Sequence, residues 1–88
     1  MNRYFTAKAD KDYQDWRKTD KKTFSKINDL VDDIEDFGML GGRGKPEQLK
    51  HFNEPTFSRH INKSDRLVYR PQNDNDLLII SCKGHYED

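Results

Sequence analysis

Two side chains in the second half of the chain are suited to acid–base chemistry. Histidine has an unperturbed pKa of ~6.5, so His85 can donate a proton near neutral pH. Glu47 is the only acid between residues 37 and 53, and Lys45 and Lys50 flank it. Neighbouring positive charges favour the ionised carboxylate, which is the form that a general base needs. We therefore consider Glu47 a candidate base and His85 a candidate acid.

Arg66 adds a third function, because a guanidinium group can hold a phosphate through two parallel hydrogen bonds. A base, an acid and a phosphate clamp are sufficient to cleave RNA by attack of its own 2′-hydroxyl group. The same residue types are also common on ordinary protein surfaces. Their spacing in the sequence does not separate the two interpretations.

Other chemistries fit the sequence less well. The glycine-rich segment at 41–45 resembles a phosphate-binding loop, but that motif needs Gly at 39 and Ser or Thr at 46, where this chain has Met39 and Pro46. Cys82 and His85 have a spacing that a metal could use, but the sequence offers no second pair of ligands. We therefore predict no metal and no cofactor, and we interpret Cys82 as a small buried hydrophobic residue.

The distribution of charge indicates where a nucleic acid would bind. The chain has 88 residues and a formal net charge of zero, yet residues 43–70 carry a balance of +4. A basic segment of this kind can contact phosphate, although an ordinary solvated surface has the same composition. Our candidate RNA-binding residues in this segment are Lys45, Lys50 and Arg59.

Composition also excludes several classes of protein. The longest apolar run covers only residues 77–80, which is far too short for a transmembrane helix. The first residues lack the apolar stretch of a secretory signal, and a single cysteine cannot build a disulfide framework. These features favour a cytoplasmic protein without membrane contacts.

The hydrophobic pattern predicts the elements that must position these side chains. Apolar residues recur at helical spacing over about residues 8–36, which predicts a helical hairpin. After a glycine-rich loop at 38–46 the period changes to two, which indicates strands. The apolar run at 77–82 is typical of a central strand covered on both faces. We therefore predict one α+β domain over residues 1–88, with the hairpin packed on one face of an antiparallel sheet and residues 2–6 as an edge strand.

Several segments resemble the YoeB toxins, which belong to the RelE superfamily of bacterial toxin–antitoxin systems. The similarity extends over nearly the whole chain and includes the helical stretch at 16–30. Its four ordered motifs are Gly-Lys-Pro-Glu-Gln-Leu-Lys-His at 44–51, Phe-Ser-Arg-His-Ile at 57–61, Asp-Arg-Leu-Val-Tyr at 65–69 and Cys-Lys-Gly-His-Tyr at 82–86.

The resemblance implies a fold similar to microbial ribonucleases and an endoribonuclease that cuts messenger RNA in the ribosomal A site. It places the base on Glu47, the phosphate-stabilising arginine on Arg66 and the acid on His85. Tyr86 matches a tyrosine that orients the nucleotide, and Lys50 matches a supporting basic residue. The implied reaction needs no metal and forms a cyclic phosphate.

The resemblance also implies partners, namely the ribosome, its message, a YefM-like antitoxin and a possible second copy of the chain. The alternative function is a non-catalytic toxin that blocks the ribosome or gyrase. This chain departs from the family at His60, where a second arginine is usual after Arg59, and it ends with the added acids Glu87 and Asp88.

Overall fold

The structure, a computed structural model, describes residues 1–85. These residues form a single five-stranded sheet with two helices on one of its faces. The order of elements is β1 (Asn2–Phe5), α1 (Ala7–Thr19), α2 (Lys21–Phe37), β2 (Glu47–Leu49), β3 (Thr56–His60), β4 (Arg66–Gln72) and β5 (Asp76–Ser81). Neither helix is long and apolar enough to cross a membrane. The predicted α+β class is confirmed.

Both helices begin where a polar side chain caps the first turn. Thr6 precedes α1, and its Oγ1 accepts a hydrogen bond from the backbone N–H of Ala9 at 3.0 Å. Asp20 separates the helices and accepts from the backbone N–H of Thr23 at 3.1 Å, a contact that lowers the pKa of the Asp20 carboxyl. Such caps satisfy N–H groups that a helix leaves unpaired at its start. The predicted helical hairpin is confirmed.

The sheet has the order β1-β5-β4-β3-β2 and is mixed. Three neighbouring pairs are antiparallel, but β1 runs parallel to β5. The prediction of an entirely antiparallel sheet is therefore wrong for this pair. Parallel neighbours need a long crossover connection, and the helical hairpin forms part of the chain that connects β1 to β5. The edge strand at the N-terminus is confirmed.

The apolar run near the C-terminus forms β5, which lies between β1 and β4. Its side chains alternate between buried Leu77 and Ile79 and half-buried Leu78 and Ile80. The prediction that both faces of this strand are covered is wrong, because the helices pack on one side of the sheet only. The middle strand of the sheet is β4.

The two faces of the sheet have different neighbours. Phe57, Leu67, Tyr69 and Ile79 pack with buried residues of the helices in the main core. Side chains alternate along a strand, so the residues between them point to the other side of the sheet, which we call the helix-free face. In β2, β3 and β4 this face carries Glu47, Ser58, His60, Arg66 and Val68.

Candidate active site

The strand register brings Glu47, His60 and Arg66 onto one patch of the helix-free face. Glu47 pairs with Ser58 across β2 and β3, and His60 pairs with Arg66 across β3 and β4. Ser58 and His60 are two residues apart, so their side chains point to the same side. Diagonal neighbours across an antiparallel pair are ~7–8 Å apart, within reach of long side chains. The edge strand therefore presents the exposed Glu47 toward His60.

The pKa of His60 reflects the charges around it. The imidazole is half-buried, and burial is the largest cause of a pKa below the usual 6.5. The positive charges of Arg66 and Lys45 lower this pKa further, as does the neighbouring His85, whereas the negative charge of Glu47 opposes them. These residues come from separate parts of the sequence. The fold thus brings the three predicted catalytic residues together, with His60 among them.

Arg66 is held by the turn that precedes it. Its Nη1 donates to the carbonyl oxygens of Asn62 at 2.9 Å, Asp65 at 3.2 Å and Lys63 at 3.3 Å. Within residues 1–85 its Nε and Nη2 donate no hydrogen bond. The residue is only 8% exposed. The guanidinium is therefore fixed in orientation, with two donor atoms left for a ligand at its exposed edge.

The same turn positions the segment that carries His85. The backbone N–H of Gly84 donates to Asp65 Oδ1 at 2.8 Å, and the backbone N–H of Arg66 donates to the carbonyl oxygen of Gly84 at 2.9 Å. This pair of contacts joins the start of β4 to the residue before His85. The candidate acid and the candidate phosphate clamp are neighbours for this reason.

Helix α1 anchors the same segment from the other face of the sheet. Asp12 Oδ2 accepts a hydrogen bond from the backbone N–H of Cys82 at 3.1 Å, and Trp16 Nε1 donates to the carbonyl oxygen of Cys82 at 2.8 Å. Lys8 Nζ donates to Asp12 Oδ2 at 2.7 Å and to the carbonyl oxygen of Lys83 at 3.3 Å. The aromatic stripe of α1 thus packs the core and also fixes the chain that leads to His85.

Lys45 approaches the cluster from the loop between α2 and β2. Its backbone φ is +50°, a left-handed conformation that is unfavourable for a residue with a Cβ atom. The preceding residue, Gly44, has a φ of +92°, and its carbonyl oxygen accepts a hydrogen bond from the backbone N–H of His60 at 2.7 Å. That bond ties the loop to the end of β3. Backbone strain of this kind persists only where surrounding contacts hold it.

Two other residues, Lys50 and Tyr86, were predicted to bind RNA. Lys50 is exposed and directly follows β2, the strand that carries Glu47. Tyr86 lies outside the described residues, as do Glu87 and Asp88. The RNA-binding roles of Lys50 and Tyr86 stay predictions.

Arg59 does not have the position expected of an RNA-binding residue. It is 0% exposed and lies on the helix side of β3, where its guanidinium is enclosed. Nε donates to Tyr69 Oη at 2.9 Å, Nη1 to the carbonyl oxygen of Arg43 at 2.9 Å and Nη2 to that of Gly38 at 2.9 Å. Because these donors are used inside the protein, we correct the assignment: Arg59 holds the loop at 38–43 against the sheet.

Cys82 and the acids of the described chain offer little to a metal ion. Burial raises the pKa of the Cys82 thiol to about 12, and the residue is part of the main core. Residues 1–85 contain no cluster of three or more His, Cys, Asp or Glu side chains that could hold a metal ion. The interpretation of Cys82 as a buried hydrophobic residue is confirmed.

Comparison with known proteins establishes the family. A model of the YoeB-like toxins of bacterial type II toxin–antitoxin systems matches residues 5–86. The chain belongs to this family. The YoeB toxin of Escherichia coli K12 is 44% identical over 75 residues, which cover 85% of this chain and 87% of the relative.

Solved structures agree with this assignment. A YoeB dimer from Staphylococcus aureus has a TM-score of 0.89 at 45% identity, with 98% of each chain covered. A heterotetrameric YoeB–YefM complex from the same organism has a TM-score of 0.89 at 44% identity, and 98% of each chain is again covered. An archaeal RelE–RelB complex from Pyrococcus horikoshii has a TM-score of 0.72 at 13% identity, with 94% of this chain and 92% of that chain covered. At this identity the similarity shows a shared fold alone. The RelE-like fold predicted for this YoeB-like toxin is confirmed.

The cluster of this YoeB-like toxin combines groups that are suited to acid–base chemistry beside an anion. A carboxylate can accept a proton, an imidazolium can donate one, and a guanidinium donates hydrogen bonds to anionic oxygen. His60 also belongs to the cluster, although its residue type and spacing did not predict a role for it. Its position could have been found from the alternation of Phe57, Arg59 and Ile61, which places His60 on the opposite face of β3.

Proposed function

We propose that this YoeB-like toxin is a ribosome-dependent endoribonuclease that cleaves messenger RNA in the ribosomal A site and so inhibits translation in the bacterial cytoplasm. The observation that carries the proposal is the grouping of Glu47, Arg66 and His85 around His60 on the helix-free face. The family assignment supports the toxin role.

In the proposed mechanism the nucleophile comes from the substrate. Glu47 accepts the proton of the ribose 2′-hydroxyl, and the resulting oxygen attacks the adjacent phosphorus. Arg66 stabilises the charge that develops on the phosphate oxygens, and His85 protonates the departing 5′-oxygen. The products are a 2′,3′-cyclic phosphate and a 5′-hydroxyl end.

Site-directed variants test these roles in single-turnover cleavage on programmed ribosomes. Loss of a positioned acid or base usually costs ~10²–10⁴-fold in rate. We expect losses of that size in Glu47→Gln and His85→Ala, with ribosome binding nearly unchanged because many dispersed cations supply the affinity for phosphate. Asp10→Asn, an exposed acid on α1, is the control and should cleave at the wild-type rate.

A message with a single 2′-deoxy nucleotide at the cleavage site tests the nucleophile itself. The proposed reaction cannot occur on this message, because the attacking oxygen is missing. Cleavage at that position would show that an activated water attacks instead. If translation stops while the normal message stays intact, the protein is a non-catalytic blocker and the nuclease proposal is wrong.

The proposed reaction needs no metal, because Arg66 supplies the positive charge and the substrate supplies the attacking oxygen. Ribosomes themselves require magnesium, so this point is tested with free RNA at high protein concentration. Cleavage of free RNA should continue after a chelator is added. Cleavage that stops with the chelator and returns with a divalent ion contradicts the mechanism.

We further propose that a YefM-like antitoxin binds this chain and covers the cluster. The related Staphylococcus aureus protein forms a heterotetrameric complex with YefM, and the structure of its dimer has also been solved. An antitoxin that covers Glu47 and His85 would exclude the message. Addition of a purified YefM-like antitoxin should therefore abolish cleavage, and size-exclusion chromatography with light scattering would measure the assembly and any homodimer.

A further inference from the structure

A cavity of about 440 Å³ opens beside the active-site cluster. It lies between α2, the loop at 38–46 and the turn that joins β3 to β4, and it shares Lys45 and His60 with the cluster. Its size falls within the range of ~300–1,000 Å³ that is usual for small-molecule sites. A ligand in the cavity would therefore lie directly beside a ligand at the active site.

The cavity has a basic rim. Lys26, Lys45 and Lys63 line it, and within residues 1–85 none of them forms an ion pair. Arg43 also lines it but is held by Asp33, with 2.9 Å between Arg43 Nε and Asp33 Oδ2. Three lysines that form no ion pair within residues 1–85 around one concave site favour an anion such as phosphate.

The glycine-rich loop forms one wall of the cavity and packs closely against α2 and β3. A Cβ atom at Gly44 would lie 3.1 Å from Arg59 Cβ, 3.1 Å from Leu30 Cδ2 and 3.2 Å from the carbonyl oxygen of His60. The absence of a side chain there lets the loop pack between α2 and β3. That packing also holds Lys45 in its left-handed conformation at the border between cavity and cluster.

The remaining lining favours a nucleotide over an acidic peptide. Leu30 and Ile61 close the cavity with apolar side chains, and the exposed carboxylate of Asp29 lies at its edge. A carboxylate accepts hydrogen bonds from the exocyclic amino groups of bases, as acidic residues do from cytosine. The same carboxylate repels an acidic peptide. Proteins that recognise single-stranded RNA commonly read such exposed base edges.

We propose that this cavity binds the nucleotide that flanks the scissile phosphate in the RNA substrate, with its phosphate against the lysines and its base toward Asp29. The inference rests on the proposed function and extends it by one nucleotide. It also gives a role to the segment at 41–45, which does not satisfy the sequence motif of a phosphate-binding loop.

The test measures binding of 2′-deoxy oligonucleotides, which the protein cannot cleave. A dinucleotide contains only the scissile phosphate, whereas trinucleotides add one nucleotide on the 5′ or the 3′ side. We expect one of the two trinucleotides to bind the wild-type protein roughly three- to tenfold more tightly than the dinucleotide. Amide signals of residues 29, 44 and 63 should shift in nitrogen-correlated NMR spectra only with that trinucleotide.

Variants test whether the tighter binding of the trinucleotide depends on the cavity. Lys63→Ala and Lys26→Ala should lose most of the gain from the third nucleotide and keep the wild-type affinity for the dinucleotide. Lys22→Ala removes an exposed lysine of the same helix outside the cavity, and it should keep the gain. Asp29→Asn should reduce the preference for an amino-bearing base over uracil at the flanking position.

Several outcomes overturn the inference. If the dinucleotide binds and messages are cleaved, but neither trinucleotide binds more tightly, the cavity is not a nucleotide site although the proposed function stands. If the lysine variants lose affinity only for purified antitoxin, or only for intact ribosomes, the cavity binds that partner instead. If the wild-type protein neither binds the dinucleotide nor cleaves messages, the proposed function fails as well.

Discussion

Adjacent residues of β3 have different roles because their side chains point to opposite faces of the sheet. Arg59 shares the helix side with Phe57 and Ile61, whereas His60 shares the helix-free face with Arg66. The alternation is visible in the sequence, but charge alone gave the wrong role to Arg59. A basic residue in phase with core positions is better interpreted as a buried structural group. The candidate roles of Glu47, Arg66 and His85 follow from their side-chain chemistry and from the family resemblance, and they stay predictions.

The lowered pKa of His60 predicts a pH-dependent stability. The unfolded chain, with a pKa near ~6.5, binds this proton more readily than the folded chain. The stabilising contribution is therefore complete above ~6.5 and is lost as the pH falls through the lower folded-state value. His60→Asn should reduce the fall in the free energy of unfolding between about pH 7 and pH 5, measured by urea denaturation.

Lys18→Gln is the control, since it removes an exposed residue of α1 and leaves His60 in place. It should preserve the wild-type dependence on pH. An unchanged pH dependence in His60→Asn would mean that burial and the surrounding cations do not lower the pKa of the imidazole.

The buried guanidinium of Arg59 predicts a structural cost when it is replaced. Arg59→Gln leaves Tyr69 Oη and the carbonyl oxygens of Gly38 and Arg43 without their donors. Tyr69 is fully buried, whereas Gly38 and Arg43 are exposed residues whose carbonyl oxygens water can reach. One unsatisfied buried group costs about 1–3 kcal/mol, so we expect the free energy of unfolding to fall by about 1–3 kcal/mol. Arg17→Gln, an exposed arginine of α1, should change it by less than about 0.5 kcal/mol. A stable Arg59→Gln protein that has lost RNA affinity would restore the original assignment.

At the scale of elements, local pattern predicted the helices well and the sheet in part. The apolar stripes of α1 and α2 repeat over many residues, so their period is clear. Strand β2 was not predicted because three residues on an edge are too few to show alternation. The direction of β1 relative to β5 depends on where the chain returns after the helices, and no local signal encodes it.

The loop at 38–46 offers a comparison between two glycines. Both Gly38 and Gly44 have positive φ, at +89° and +92°, but a Cβ atom at Gly38 meets no atom within 4 Å. Gly38→Ala should therefore cost only the backbone strain of about 1–2 kcal/mol. Gly44→Ala also crowds α2 and β3, which adds about 1–3 kcal/mol and displaces Lys45. Thermal and urea unfolding would measure the difference, and equal losses would contradict the close packing of Gly44.

At the scale of the whole molecule, a chain with no net charge can still present a basic surface because its charges are unevenly distributed. Residues 43–70 carry the basic excess, whereas five acids lie within residues 29–36 of α2. Arg3 on β1 pairs with two of them, with 2.7 Å from Nη2 to Asp32 Oδ1 and 2.8 Å from Nη2 to Glu35 Oε1. The acidic helix meets the basic segment only at its border, where Asp33 pairs with Arg43 and Asp29 lines the cavity beside Lys45. Net charge alone would have hidden this arrangement.

This segregation predicts where an antitoxin binds. An acidic or amphipathic antitoxin segment is attracted to the basic part of the chain and repelled by the acids of α2. Hydrogen exchange with and without antitoxin should therefore show new protection at 47–51 and at 82–85, with little change in the exposed face of α2. The antitoxin should also dissociate faster at higher salt, because the Debye length falls from ~10 Å at 0.1 M to ~3 Å at 1 M. Protection confined to residues 7–37 would place the antitoxin on the helical hairpin and refute this prediction.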